Sequence, residues 1–183
     1  MPKRRRALLI AAIAVVLGGG ALLAVFQPWL LFVDVTVADE LPTAAPSPTV
    51  DPTGTMTPEP VGPIELARGE FVSHEHTTTG TATIVENPDG SRVLALAGLS
   101  TSNGPDLHVW LSAADVVEGR DGWFTAGSAA FVDLGALKGN LGDQTYDIPA
   151  DADLSGIRSV TIWCVRFSVS FGAAPLAEAQ PAG

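Results

Sequence analysis

The first thirty-three residues carry the longest run of apolar positions in the chain. Ala7 to Phe26 contains no charged residue, and apolar character resumes from Trp29 to Val33. About twenty apolar residues suffice for a helix to cross the hydrocarbon core of a bilayer. Residues 1–6 are a basic tail, and acidic residues follow the run. The pattern therefore predicts a transmembrane signal anchor over 7–33 with a cytoplasmic N-terminus and an extracytoplasmic remainder. A cleaved signal peptide is the competing interpretation, but the run is long and no clear small-x-small site precedes Gln27.

A segment rich in proline and threonine follows this helix. Seven prolines and five threonines lie between Leu41 and Pro63, with no Lys or Arg and almost no bulky apolar side chain. Such a composition buries too little surface to offset the entropy of ordering. We expect residues 34–63 to form a disordered stalk, partly in polyproline II, that holds the next domain clear of the membrane.

From residue 64 to 177 the polarity pattern has the short periods of β-structure. Thr81–Val85 and Arg92–Leu96 flank Asn87-Pro88-Asp89-Gly90, a strong signal for a β-hairpin. Other predicted strands are Leu107–Leu111, Ala130–Leu134, Gln144–Ile148, Ser159–Phe171 and, more weakly, Phe71–Thr77. Short strands at this spacing predict an all-β domain, an antiparallel sandwich or barrel-like fold, with a short tail at 178–183.

The stretch from Ser159 to Phe171 changes its alternation in the middle. Before Trp163 the even positions are apolar, and from Trp163 onward the odd positions are apolar. A strand changes phase through a bulge, a twist or burial on both faces. Cys164 lies at this break, which suggests a local distortion near a site. The alternative is that Cys164 is a small buried hydrophobic residue.

Charge and cysteine content exclude several classes of protein. From Asp34 onward the chain has six basic and twenty acidic residues, which gives a net charge of −14. Such a surface repels phosphate, which argues against nucleic-acid binding. The chain has one cysteine, so an intramolecular disulfide, a paired-cysteine zinc site and a CxxCH haem attachment are all excluded.

Several motifs resemble one known family in their order along the chain. They are HTTTGTA at 76–82, GPDLHVWLS at 104–112, DLGALKGN at 133–140, GDQTYDIP at 142–149 and SVTIWC at 159–164. Together these segments, from Gly69 to Leu176, resemble the DM-thirteen domain, described as an electron-transfer family. The resemblance implies a small extracytoplasmic β-domain. It also implies that Cys164 is the characteristic cysteine of the family, to which a redox or haem-linked role is attached.

Cys164 is the candidate redox residue, and its neighbours supply candidate helpers. Arg166 is two residues on, so on one continuous strand its guanidinium would lie on the same side and favour the thiolate. Trp163 and Asp106 are candidate cofactor contacts, although Trp163 fits a core position and Asp106 a turn equally well. Haem or a metal ion is compatible with the resemblance, and the residue pattern specifies neither.

Three histidines are candidate metal ligands. His74 and His76 would share one face of a strand, and His108 on another strand could complete a site, although exposed histidines without a metal give the same pattern. A blue-copper site is disfavoured because neither His nor Met follows Cys164, although folding could still bring His74, His76 and Cys164 together.

The sequence thus indicates a membrane-tethered extracytoplasmic β-domain with a redox role centred on Cys164 and a redox partner that the residues do not identify. The alternative is a non-enzymatic surface binding or adhesion module in which Cys164 is structural. A hydrolase is disfavoured because no nucleophile–base motif is present.

Overall fold

The computed structural model describes residues 3–43 and 62–178. Helix α1 spans Lys3–Phe26. Ala and Leu favour helix throughout this segment, and Pro28 ends it because proline has no N–H to continue the ladder. Gln27 takes a left-handed conformation and a 3-10 turn follows over Pro28–Phe32. Among the described residues α1 is the one helix that is long and apolar enough to cross a membrane, and a signal sequence has the same character.

The rest of the described chain forms eleven strands in two sheets. The strands are β1 Thr36–Ala38, β2 Ile64–Glu70, β3 Val72–Ser73, β4 Thr79–Glu86, β5 Arg92–Ser100, β6 Leu107–Ser112, β7 Phe131–Ala136, β8 Leu141–Ile148, β9 Ser159–Cys164, β10 Val169–Pro175 and β11 Ala177–Glu178. One sheet has the order β1-β8-β5-β4-β2-β11 and the other β3-β10-β9-β6-β7. We call them sheet A and sheet B.

The predicted sandwich is confirmed. Sheets A and B pack face to face rather than closing into a barrel in the described part of the chain, and their pairings are antiparallel except that of β1 with β8. The inward side chains of both sheets form one apolar core, which includes Leu94 and Leu96 from β5 and Val160 and Ile162 from β9. The predicted hairpin is β4–β5, in register from Glu86↔Arg92.

The single strand predicted from Ser159 to Phe171 is wrong. The segment is a hairpin in which β9 ends at Cys164, β10 begins at Val169, and Val165–Ser168 form the turn. We call Val165–Ser168 the tip. The change of alternation therefore marks the turn between two strands and not a bulge at Cys164. A register shift does occur, later, between Ser170 and Gly172 of β10. The strand predicted more weakly over Phe71–Thr77 is shorter in the structure, where only β3 is formed.

The stalk predicted from residue 34 is also wrong at its start. Thr36–Ala38 form β1, an edge strand of sheet A that pairs in parallel with Leu141–Asp143 of β8. Leu141 donates its N–H to the Val35 carbonyl, and Asp39 donates its N–H to the Asp143 carbonyl. Polarity and proline content predict disorder, but they do not reveal that residues near the start of the predicted stalk complete a sheet edge.

This edge strand changes the place of the proline-rich segment in the architecture. The chain enters the sheet at Thr36, only nine residues after α1 ends. The proline-rich residues then connect β1 to β2, which are strands of the same sheet. Most of the predicted stalk, residues 44–61, lies outside the described residues, but it does not separate the helix from the domain.

Candidate functional site

Cys164 is the last residue of β9 and lies on the inner face of sheet B. In the ladders it faces Leu107 of β6 and Val169 of β10. Its side chain belongs to the main apolar core and has 0% of its surface exposed. The tip follows immediately, and all four of its residues are exposed. The thiol is therefore covered by apolar core on one side and closed off by a short exposed turn at the end of the strand.

The groups around Cys164 shift the pKa of its thiol in opposite directions. Burial raises its pKa because the thiolate loses hydration, and this is the largest effect. The backbone N–H groups of Phe167 and Arg166 in the tip favour the thiolate, while the carboxylates of Asp106 and Glu75 disfavour it. The net effect raises the pKa of Cys164. The thiol is therefore neutral, and two backbone N–H donors already point toward it.

Arg166 does not stand beside Cys164 on a strand. It lies in the tip, and its Nη1 donates to the backbone carbonyl of Val25 in the last turn of α1, at 3.1 Å. Arg166 acts on the thiol through its backbone N–H. The expected thiolate-stabilising guanidinium is thus engaged with the helix, because the turn replaces the straight strand on which that expectation depended.

Asp106 lies in the loop before β6, at the same end of the sandwich as Cys164. Its carbonyl accepts the N–H of Val165, at 2.9 Å, which ties the loop to the tip. The loop lines a cavity of about 300 Å³, bounded also by Val35 and by Lys138 and Gly139 from the turn after β7. Cys164 does not line this cavity, so Asp106 and the thiol share an end of the domain but not a pocket.

The three histidines occupy three different settings. His108 lies on the outer face of sheet B, with Nδ1 at 2.9 Å from one carboxylate oxygen of Asp133 and Nε2 at 3.6 Å from Asp106. His74 is buried, and its Nδ1 is 2.7 Å from the hydroxyl of Ser170. The ring of His76 lies against that of Phe171, with centroids 3.9 Å apart.

Burial lowers the pKa of both His74 and His76. A contact of the His74 ring with the Val117 backbone as acceptor opposes this effect at His74, and the Glu75 carboxylate opposes it at His76. The Val117 contact is weak, because Nε2 of His74 has no partner at good hydrogen-bond geometry. Neutral imidazoles are therefore the favoured form in the folded protein.

An aromatic cluster that the sequence does not single out lies on the outer face of sheet B. The rings of Trp110 and Trp163 stack at 4.9 Å, and Trp110 stacks on Phe131 at 3.8 Å. Both tryptophans are buried under the segment that contains Ala126. Their strands are thus covered on both faces, and every residue of β9 is buried. The sequence signal that could have revealed this cluster was a pair of tryptophans, one on β6 and one on β9, at positions that face away from the core.

The described residues do not fit a haem or metal cofactor. The side chain of Cys164 belongs to the apolar core, with 0% of its surface exposed, and the tip closes the end of the strand beside it. In the parts of the chain that the structure describes, no group of three His, Cys, Asp or Glu residues is placed to hold a metal ion. Trp163 and Asp106 do not share a cavity with Cys164, so the three predicted cofactor contacts do not form one site.

Comparison with known proteins gives one match. The family model described as "Electron transfer DM13" matches residues 70–176, from the end of β2 to the residue before β11. The matched region contains Cys164, Asp106 and all three histidines, and it leaves out α1 and β1. No curated protein and no solved structure matches the chain.

Proposed function

The chain belongs to the Electron transfer DM13 family, and from this premise we propose that it is a membrane-tethered, extracytoplasmic redox protein whose redox group is the thiol of Cys164. The tethering is supported by the length and apolar character of α1, and the orientation by the four basic residues at positions 3–6. The proposal depends on Cys164 because it is the one thiol in the chain.

The position of Cys164 beneath the tip is the observation that carries this proposal. The four exposed residues Val165–Ser168 turn at the end of the strand beside the thiol, and two of their N–H groups favour the thiolate. A local opening of a short exposed turn costs far less than global unfolding. The thiol would become reactive only in the opened form, which suits a redox group protected from unspecific oxidation.

The chemistry available to a lone thiol is limited. With hydrogen peroxide as oxidant, the thiolate sulfur attacks one peroxide oxygen, the O–O bond breaks, and a sulfenic acid and one molecule of water form. Sulfur loses two electrons and the peroxide gains them. A second thiol, from a small molecule or another protein, then condenses with the sulfenic acid to a disulfide and water. The second thiol must come from another molecule because Cys164 is the one cysteine of this chain.

A non-enzymatic binding module remains the alternative, and one observation favours it. The exposure of Cys164 is 0%, and burial raises its pKa, as for a structural core cysteine. In that case the acidic surface of the domain would meet a cationic or glycan partner.

Alkylation of the full chain in membranes separates these two functions. We expect native Cys164 to react with iodoacetamide faster than the domain unfolds globally, and to be trapped as sulfenic acid by dimedone after peroxide treatment. Phe167→Gly in the tip should raise the alkylation rate several-fold without lowering the melting temperature by much. A reference thiol is provided by Ser155→Cys in a Cys164→Ser background, because Ser155 is exposed at the other end of the sandwich. Alkylation that occurs only at the rate of global unfolding would support the binding module.

The tether needs its own test. Mass spectrometry of the membrane fraction should show a chain that retains residues 7–33. A mature chain that begins between Gln27 and Leu41 would show that α1 is a signal peptide and would overturn the anchor.

A further inference from the structure

The connection between α1 and the sandwich is short and fixed at both ends. Residues 27–35 are nine in number and span at most about 30 Å even if fully extended. Part of this connection is the 3-10 turn Pro28–Phe32, which shortens it. At the domain side, Asn140 accepts the N–H of Val35 and donates to the carboxylate of Asp34. The sandwich therefore cannot move far from the membrane in which α1 would be anchored.

The tip contacts the last turn of α1. The rings of Phe167 and Phe26 stack with centroids 5.4 Å apart and an angle of 24° between their planes. The guanidinium of Arg166 donates to the Val25 carbonyl, one of the last four carbonyls of a helix that lack an intrahelical partner. A cation at a helix C-terminus is also favoured by the helix dipole. The tip is thereby placed at the level where α1 would leave the bilayer.

The side chains around this contact suit the interface between headgroups and acyl chains. Val165 and Phe167 of the tip are 40% and 39% exposed, although both are large and apolar. The end of α1 and the connection to β1 add further exposed apolar side chains, namely Phe26, Trp29, Leu31, Phe32 and Val33. Exposed apolar residues gathered at one place mark an interaction surface, and aromatic residues are enriched at membrane interfaces.

The charge distribution points to the same surface. The chain from Asp34 onward has a balance of −14, so most of the domain is repelled by anionic headgroups. The tip has no acidic residue and carries Arg166, one of only six basic residues after Asp34. An arginine with an aromatic neighbour can extend its guanidinium to phosphates while its methylenes stay in apolar surroundings.

We propose that the tip Val165–Ser168 and the apolar part of the connection, Gln27–Val33, form one membrane-docking surface, which inserts into the headgroup region of the bilayer that holds α1. The proposal rests on the tethering proposed above. It brings Cys164, the residue before the tip, to the membrane-facing end of the domain. Opening of the tip would then expose the thiol toward the lipid boundary rather than toward bulk solvent.

Spin labels on the full chain in liposomes of phosphatidylcholine with phosphatidylglycerol test this surface. In a Cys164→Ala background, Phe167→Cys and, separately, Val165→Cys carry the label at the tip. Gly156→Cys is the matched control, since it lies at the opposite end of the sandwich, is exposed, and has no heavy atom within 4 Å of an added Cβ. We expect the ratio of collision rates with oxygen and with a nickel chelate to be several-fold higher at 165 and 167 than at 156.

The outcomes distinguish docking from tethering. Flotation of the labelled chain with the liposomes tests the tether, and a chain that fails to float overturns the proposed membrane anchor. A chain that floats while labels at 165 and 167 meet the nickel chelate as often as the label at 156 overturns the docking surface alone. Labels at the tip that are shielded from both reagents would indicate a protein–protein contact and would also overturn it. Circular dichroism melts of each variant show that the labelled protein is folded.

Discussion

The two ends of the sandwich are built in different ways. The end near α1, which we call the proximal end, comprises the loop 101–106, the turn 137–140 and the tip. The distal end comprises the turns 87–91 and 149–158. The distal turns have hydrogen bonds between residues of the same turn. Ser91 donates both its N–H and its hydroxyl to Asp89, and Ser155 donates its N–H to Asp153. The distal end also has contacts between distant residues, since Arg92 donates to the Ala152 carbonyl and Arg158 donates its N–H to the Ser112 carbonyl.

The proximal end is held together by residues far apart in the sequence. Asn140, with 1% of its surface exposed, accepts from Val35 and donates to Asp34 and to the Thr101 carbonyl. Lys138 forms an ion pair with Asp39, at 2.6 Å, and Asp39 also accepts the N–H of Thr145. Local hydrogen bonds shape the distal turns, while the proximal end additionally depends on the edge strand β1 and on the side chain of Asn140. The proximal end also holds Cys164 and the proposed membrane surface.

The largest difference between the ends is expected from a pair of glycine substitutions. Gly142 at the proximal end and Gly90 at the distal end both have positive φ, of 96° and 83°. An added Cβ at Gly142 would collide with the Val37 carbonyl of β1, whereas at Gly90 nothing lies within 4 Å. Gly90→Ala should cost about 1 kcal/mol for the left-handed backbone alone. Gly142→Ala should cost about 3 kcal/mol or more, because β1 must also shift. Urea unfolding of the two variants measures both, and equal costs would contradict the importance of β1.

A pair of asparagine substitutions tests the hydrogen bonds themselves. Asn140→Ala removes three hydrogen bonds, one buried and two partly buried, and should lower the free energy of unfolding by about 2–3 kcal/mol. Asn87→Ala at the distal end removes one exposed bond, to Ser91, and should cost less than about 1 kcal/mol. Thermal melts of both variants give the comparison. Asn140→Asp keeps the acceptor for Val35 but loses the donor, so it should not restore the wild-type stability.

Acid should destabilise the fold first through His74 and His76, which contact Ser170 and Phe171 at the start of β10, next to the tip of the proximal end. The pKa values of His74 and His76 are lowered from 6.5 by burial, so the unfolded chain binds more protons and stability falls as pH drops below about 6.5. The distal Asp89 has its pKa lowered from 3.8 by its hydrogen bonds with Ser91, so its contribution is lost only below about pH 4. Urea midpoints measured between pH 7.5 and 5 should decline, and His74→Gln combined with His76→Gln should flatten this decline. A wild-type midpoint that is constant over this range would rule the explanation out.

The smallest effect concerns the one tyrosine, which links the proximal turn to the core. The hydroxyl of Tyr146 donates to Gln144 and accepts the N–H of Lys138. Burial raises its pKa to about 12. The phenolate absorbance of the folded protein should therefore rise well above pH 10, and Gln144→Leu should alter this titration with little change in the β-structure seen by circular dichroism. Ionisation near pH 10 in a folded chain would show that the hydroxyl is solvated.

The sequence alone determined the features that depend on local composition and period. The uncharged run gave α1, and the Asn87–Gly90 turn with its alternating flanks gave the β4–β5 hairpin. The family motifs over Gly69 to Leu176 agree with the match at residues 70–176. Each of these signals lies within a window of a few residues or in a fixed order of motifs, where propensity and polarity act directly.

Tertiary structure decided the rest, and in particular the candidate site. A four-residue turn and a bulge both break an alternation, so Ser159–Phe171 could not be divided into β9 and β10 from its pattern alone. That division separated Arg166 from Cys164 and joined it to α1. Thr36–Ala38 form a strand because β8 has an edge with which they can pair, and because the Asn140 side chain accepts the N–H of Val35. Both partners are about a hundred positions away in the sequence. The burial of Cys164 likewise depends on which strands surround it, which polarity in one stretch of sequence does not record.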